Sequence, residues 1–293
     1  MWAKRFASQA GALAGRRVIR SSVCAALVTA MLVALTGCIE RLFFYPDAND
    51  YGNPKSLGLA YEDVTFTAPD GSRLHGWFIK SRGPARGTVL HLHGNAANIG
   101  NHLPLVAWLP ALGFNVLMFD YRGFGKSQGK PTLDGVVQDA RAALAALRVR
   151  PDIDPTRIVV YGHSLGGATA LRLLAEDRAG VRLAIIESAF DRYQGIAREA
   201  AGAGLRTVLA PLIAGLPGES SDPIAMLAQI DVALVFVHGS NDRVIPVAHG
   251  ERLFAAAREP KRWIMVAGAG HMEAGQGAAG RDVLLQAIEQ AVQ

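Results

Sequence analysis

Apolar and polar positions alternate with period two from Tyr61 to Thr67 and again from Leu74 to Ile79, with the turn residues Pro69-Asp70-Gly71-Ser72 between them. This predicts a leading antiparallel hairpin. Downstream the alternation gives way to short, nearly continuous apolar runs: Thr88 to Leu92, Phe114 to Phe119, Ile158 to Tyr161, Leu183 to Ile186, Val232 to Val237 and Trp263 to Val266. Such runs read as strands buried on both faces, as in parallel sheets covered by helices. Helix-length segments separate them: one through Leu103 and Trp108, then Leu133 to Leu147, the stretch from Leu165, Val247 to Ala257, and Arg281 to Ala291. Alternating strands and helices with short connections imply one α/β domain, residues 60–293, on a doubly wound, mostly parallel sheet. The 293-residue length and 50% hydrophobic content allow the sizeable core this needs.

The formal charge of +5 suggests acidic partners until it is located. Residues 1–37 hold Lys4, Arg5, Arg16, Arg17 and Arg20 and no acid, so the body of the chain is neutral. It carries no basic stripe interleaved with aromatics, and no nucleic-acid partner is expected. Val23 to Leu35 is an uncharged apolar run, short for a membrane span but suited to a signal-peptide core. Cys24 lies inside that segment, which leaves Cys38 without a disulfide partner. Residues 38–59 read as a membrane-proximal tether. Its Leu42-Phe43-Phe44-Tyr45-Pro46 cluster suits either the lipid interface or packing on the domain.

Chemistry concentrates at Gly162-His163-Ser164-Leu165-Gly166, which follows the Ile158 to Tyr161 strand and opens a helix. A G-x-S-x-G in that context is a nucleophile elbow. The glycines let a strained turn lift Ser164 without side chains striking the neighbouring strand and helix. A serine hydroxyl is a poor nucleophile at neutral pH, so it needs a base, an acid to orient the base, and oxyanion donors. His271, in the glycine-rich loop after the last strand, is the candidate base; His163 sits inside the elbow, and His93 and His238 end other strands. Asp242, after the Val232 to Val237 strand, is preferred as the acid over Glu187 and Asp191. The order Ser, Asp, His with each at a strand end matches the elbow's expected partners.

Two stretches are set aside. Gly123-Phe124-Gly125-Lys126-Ser127-Gln128 lacks the third glycine of a dinucleotide loop and the first glycine of a P-loop, and reads as a rigid loop. His91 and His93 find no third metal ligand nearby, so neither a metal nor a cofactor is expected.

Taken together, His93-Gly94-Asn95, Asp120 to Ser127, Gly162 to Gly167, Asp242-Arg243-Val244-Ile245-Pro246 and Gly270-His271 resemble the motifs of α/β-hydrolase-fold serine hydrolases. The resemblance implies acyl-ester cleavage through an acyl-enzyme, with oxyanion donors at the backbone N–H groups of Asn95 and Leu165. Leu35-Thr36-Gly37-Cys38 resembles the lipobox of bacterial lipoproteins. That resemblance implies cleavage before Cys38, a lipid on it, and a place in the bacterial cell envelope facing the periplasm or exterior. Residues 190–230 suit a small lid, and Ile196, Leu205, Val208, Leu209, Leu212, Ile213 and Leu216 in it fit either the lining of an acyl pocket or a helical core face. A small-molecule or lipid-like acyl ester is the expected substrate. Amide or thioester cleavage on the same residues, and a non-catalytic membrane-tethered binding module, stay open, as does the oligomeric state.

Overall fold

The hairpin forms where the alternation places it: β1 (Tyr61–Thr67) and β2 (Arg73–Ile79) pair antiparallel, with Val64 opposite Gly76. The computed structural model describes residues 43–292. The expected signal segment, Cys38 and Leu42 lie outside the described residues. Six further strands follow, β3 (Gly87–Leu92), β4 (Phe114–Phe119), β5 (Ile158–His163), β6 (Val181–Glu187), β7 (Ala233–Gly239) and β8 (Lys261–Val266). All eight join one sheet of order β8-β7-β6-β5-β3-β4-β2-β1. β2 meets β4 antiparallel, and every pair from β4 through β8 is parallel. The chain moves outward from β3 to β4 on one side and to β5 on the other. The carboxyl ends of β3 and β5 therefore flank a topological switch point, where open α/β sheets bind their ligands.

Both faces of the central strands β3 to β7 are dry, which explains why these strands are largely apolar rather than alternating. On one face Leu90, Leu92, Val160, Ile186 and Phe236 pack with α1 (Leu133–Arg148), α2 (Leu165–Glu176), α3 (Tyr193–Ala214) and α4 (Val247–Ala256). On the other, Val89, Val159, Ile185 and Val235 meet the segment from Ile99 to Leu109 and α5 (Ala278–Val292). Truncating one such buried Leu or Ile to Ala costs about 2–5 kcal/mol, so the scaffold under the strand ends is rigid.

Local chemistry sets the element ends. Thr132 caps α1, its Oγ1 accepting the Gly135 N–H at 2.9 Å. The helix-length segment between β3 and β4 is not one helix: a turn at Ile99–His102 passes into 3-10 turns at Leu103–Leu105 and Pro110–Leu112. Pro104 and Pro110 cannot donate the bonds a continuous helix needs. The Asp120 to Ser127 loop is structural. Asp120 Oδ1 accepts the Ile99 N–H at 2.9 Å, and Arg122 reaches Asp139 and Asp70 at 2.8 and 2.6 Å. At Gly125 a Cβ would lie 2.2 Å from the Asp120 carboxylate.

Candidate active site

Ser164 stands between β5 and α2 with φ 55° and ψ −117°, a backbone conformation that L residues hold only under constraint. The constraint is visible at the glycines. A Cβ on Gly162 would fall 2.4 Å from the Gly166 carbonyl oxygen, and one on Gly166 would fall 2.0 Å from that of Leu92. The helix thus sits directly on the sheet. The Ser164 N–H is tied to the Glu187 carbonyl at 2.8 Å, which turns the side chain toward the cavity above the switch point.

The two expected oxyanion donors line that cavity with Ser164. Leu165 opens α2, whose first N–H groups lack intrahelical partners. Asn95 is anchored on the other side, its carbonyl accepting the Tyr45 N–H at 2.8 Å.

His271 and Asp242 meet: the His271 Nδ1 donates to Asp242 Oδ2 at 2.8 Å. That assigns the proton to Nδ1 and leaves Nε2 as the basic nitrogen. Asp242 Oδ1 accepts the N–H groups of Val244 and Ile245, each at 2.9 Å, so the carboxylate is locked. Burial of this solvent-inaccessible group pushes its pKa up. Hydrogen bonds from His238, His271 and the Ile245 N–H outweigh burial and hold it far below the usual carboxylate range. No hydrogen bond joins Ser164 to His271 among the described residues. Such contacts are often long before substrate binds.

The rivals are engaged elsewhere. Glu187 takes bonds from Tyr161, His163 and the Ala274 N–H. Asp191 pairs with Arg252 and Arg192 at 2.6 and 2.7 Å and with His249 at 2.5 Å.

His238 and Gly239 support the site in ways the sequence does not announce, and the aromatic run takes the domain-packing alternative. His238 Nε2 donates to the Ile245 carbonyl at 2.9 Å and lies 3.4 Å from Asp242 Oδ2, supporting the acid loop from below. Gly239 lets that loop touch the His271 loop, since a Cβ there would lie 2.3 Å from the Ala269 carbonyl oxygen. Phe43 and Tyr45 line the cavity, Phe43 packing on Phe190 and Tyr193, while Phe44 is buried against Phe124. An aromatic run before the domain signals packing without saying on what.

The cavity holds about 410 Å³. Ile196, Leu205, Leu209, Leu212, Ile213 and Leu216 line it. Val208 does not: it is 71% exposed. The reason is a break in α3, where Gly202 has φ 62° and ψ 172° and resets which residues of the following turns face inward. Asn95, Ser164 and Tyr45 supply the lining's polar side chains, and among the described residues no carboxylate or cation lines it.

The chain is similar in sequence and fold to known proteins. The family description "Serine aminopeptidase, S33" (Hydrolase_4) matches residues 83–227. YfhR of Escherichia coli O157:H7 is 43% identical over 241 residues, covering 80% of each chain. The α/β hydrolase domain-containing protein WAV2 of Arabidopsis thaliana is 35% identical over 253 residues, covering 80% of this chain and 81% of its own. Among solved structures, the Pyrococcus furiosus esterase Pf2001 superposes with TM-score 0.69 at 24% identity, covering 85% of this chain and all of its own.

Proposed function

The chain belongs to the α/β hydrolases, the family it shares with WAV2 and YfhR, and from that premise we propose that it cleaves carboxylic acyl esters using Ser164, His271 and Asp242. His271 Nε2 takes the Ser164 proton as the hydroxyl attacks the ester carbonyl. The N–H groups of Asn95 and Leu165 receive the oxyanion, and His271 then protonates the leaving alcohol. Water, activated by the same nitrogen, releases the acyl group. Asp242 holds the tautomer and stabilises the imidazolium. The observation that carries this reading is Ser164 in the elbow conformation, at the foot of an apolar cavity, with a hydrogen-bonded His271–Asp242 pair on the adjoining loops.

The matched family description favours a second reading, an aminopeptidase. Such an enzyme must hold a free ammonium group, and among the described residues the cavity lining offers no carboxylate to pair with it. An apolar acyl chain meets no such penalty; each methylene buried contributes about 0.8 kcal/mol. We therefore assign the cavity to the acyl chain of an ester or a thioester and treat residues 190–230 as its cover. The expected result with p-nitrophenyl esters of increasing chain length is an optimum beyond acetate, moved to shorter chains by Leu212→Trp. Turnover of peptide amides but of no ester would overturn the assignment. A non-catalytic binding module would bind acyl chains without turning over any substrate.

We further propose that Cys38 carries lipid and tethers the protein in the bacterial envelope. Phe43 follows Cys38 by five residues, a reach of about 17 Å at full extension. A lipid on Cys38 therefore keeps the cavity rim, where Leu205, Val244 and Tyr45 are exposed, beside the bilayer. The expected mature N-terminal peptide begins at Cys38 with a diacylglyceryl mass added. An unmodified Cys38 in the native membrane protein would overturn the tether.

A further inference from the structure

Beneath the active site runs a fully buried polar chain that the mechanism above does not use. His91 Nε2, on β3, lies 3.0 Å from His163 Nδ1 on β5. His163 Nε2 lies 3.1 Å from Glu187 Oε2 at the end of β6, and the same oxygen accepts the Tyr161 hydroxyl. Glu187 Oε1 accepts the Ala274 N–H at 3.0 Å, three residues beyond His271. The Glu187 main-chain carbonyl accepts the Ser164 N–H at 2.8 Å. One residue thus holds the nucleophile by its backbone and the histidine loop by its side chain. The chain also reaches β3, which leads into Asn95.

The hydrogens along it can be assigned. An ionised Glu187 accepts from Tyr161, Ala274 and His163 Nε2–H, and the tautomer that leaves His163 Nδ1 as an acceptor takes the His91 Nε2–H. His91 Nδ1 is then a bare lone pair, matching the absence of any partner for that buried atom. Burial pushes the Glu187 carboxyl up, but the adjacent His163 ring, the Tyr161 hydroxyl and the Ala274 N–H more than offset burial and leave it below the usual range. The neighbouring backbone is strained as well: Ser188 and Met272, whose main chains flank the Glu187–Ala274 contact, have φ of 52° and 57°. Strain of that kind persists only where surrounding bonds over-determine it.

We propose that Glu187 is the positioning residue of the active site, fixing the distance between Ser164 and His271 by clamping the elbow and the histidine loop to the end of β6. It touches no substrate. The proposal rests on the hydrolytic reading of Ser164 and His271, which the Ser164→Ala comparison tests separately.

Glu187→Gln probes it nearly isosterically. To keep its bond from Ala274, the amide oxygen must stay at the Oε1 position, and the NH2 group then faces His163. His163 must flip its tautomer, and the proton passed along the chain turns His91 Nδ1 into a buried donor with no partner. Otherwise the amide reverses and the Ala274 bond is lost. Either route loosens the loop, and displacement near 1 Å costs about 100-fold in rate. The expected result, in Ser164-dependent ester turnover per folded molecule of the full chain, is a kcat about 10- to 100-fold lower with KM within about two-fold of wild type. A kcat equal to wild type in a folded Glu187→Gln protein overturns the proposal, as does a rise in KM alone. If that variant does not fold, Tyr161→Phe carries the test by removing one donor from the same carboxylate. A several-fold fall in its kcat at constant KM supports the proposal, and wild-type kcat overturns it.

Discussion

Ser164→Ala is expected to lose ester turnover by about a million-fold while keeping the folded circular dichroism spectrum and thermal transition of wild type. The size follows from the non-additivity of a nucleophile and its base: without the hydroxyl no acyl-enzyme forms, and His271 and Asp242 have nothing to activate. What survives is the polarisation of the carbonyl by the Asn95 and Leu165 N–H groups. Stability should change little, because the Ser164 hydroxyl makes no hydrogen bond among the described residues and the strained φ of 55° is imposed by the packing around Gly162 and Gly166. Alanine carries the same Cβ into the same conformation. Substantial residual hydrolysis would remove Ser164 from the mechanism.

Asp242→Asn is expected to lower kcat by about 10,000-fold, the effect of stabilising the wrong tautomer. With its oxygen kept toward the Val244 and Ile245 N–H groups, the amide presents NH2 to His271 Nδ1. The ring then carries its proton on Nε2 and can no longer accept the Ser164 proton. The same substitution gives a signature in stability. The folded-state carboxyl of Asp242 lies below its unfolded value of about 3.9, so its contribution is present above that pH and lost as pH falls through the folded value. Thermal unfolding of wild type should therefore weaken below about pH 4, and the variant should show a smaller loss over the same range. Equal acid sensitivity in both proteins would contradict the placement of that carboxylate.

What could be read in the sequence follows from periodicity and from local strain. Apolar runs of strand length locate each parallel strand, because burial on both faces leaves few polar positions in them. The elbow was legible for a different reason: only glycine tolerates contacts as close as those of Gly162 and Gly166, so the steric demand is written as residue type. The segment from Ile99 to Leu109 was misread in form because apolar spacing persists across Pro104 and Pro110 while the helix does not. Val208 was misplaced because Gly202 shifts the phase of α3, and a periodic count has no access to that shift. The Glu187 network lay hidden because it joins residues far apart in sequence: Glu187 and Ala274 are 87 positions apart, His91 and His163 are 72. A lone Glu ending an apolar strand announces burial, and only the fold shows what it holds.

Labelling with a serine-directed fluorophosphonate tests most directly whether Ser164 is a nucleophile activated by His271. The expected result is covalent mass on the peptide containing Ser164 in folded wild type, none there in Ser164→Ala, and sharply slowed labelling in His271→Ala. A folded wild-type protein that takes no label, or takes it at another residue, would contradict the account.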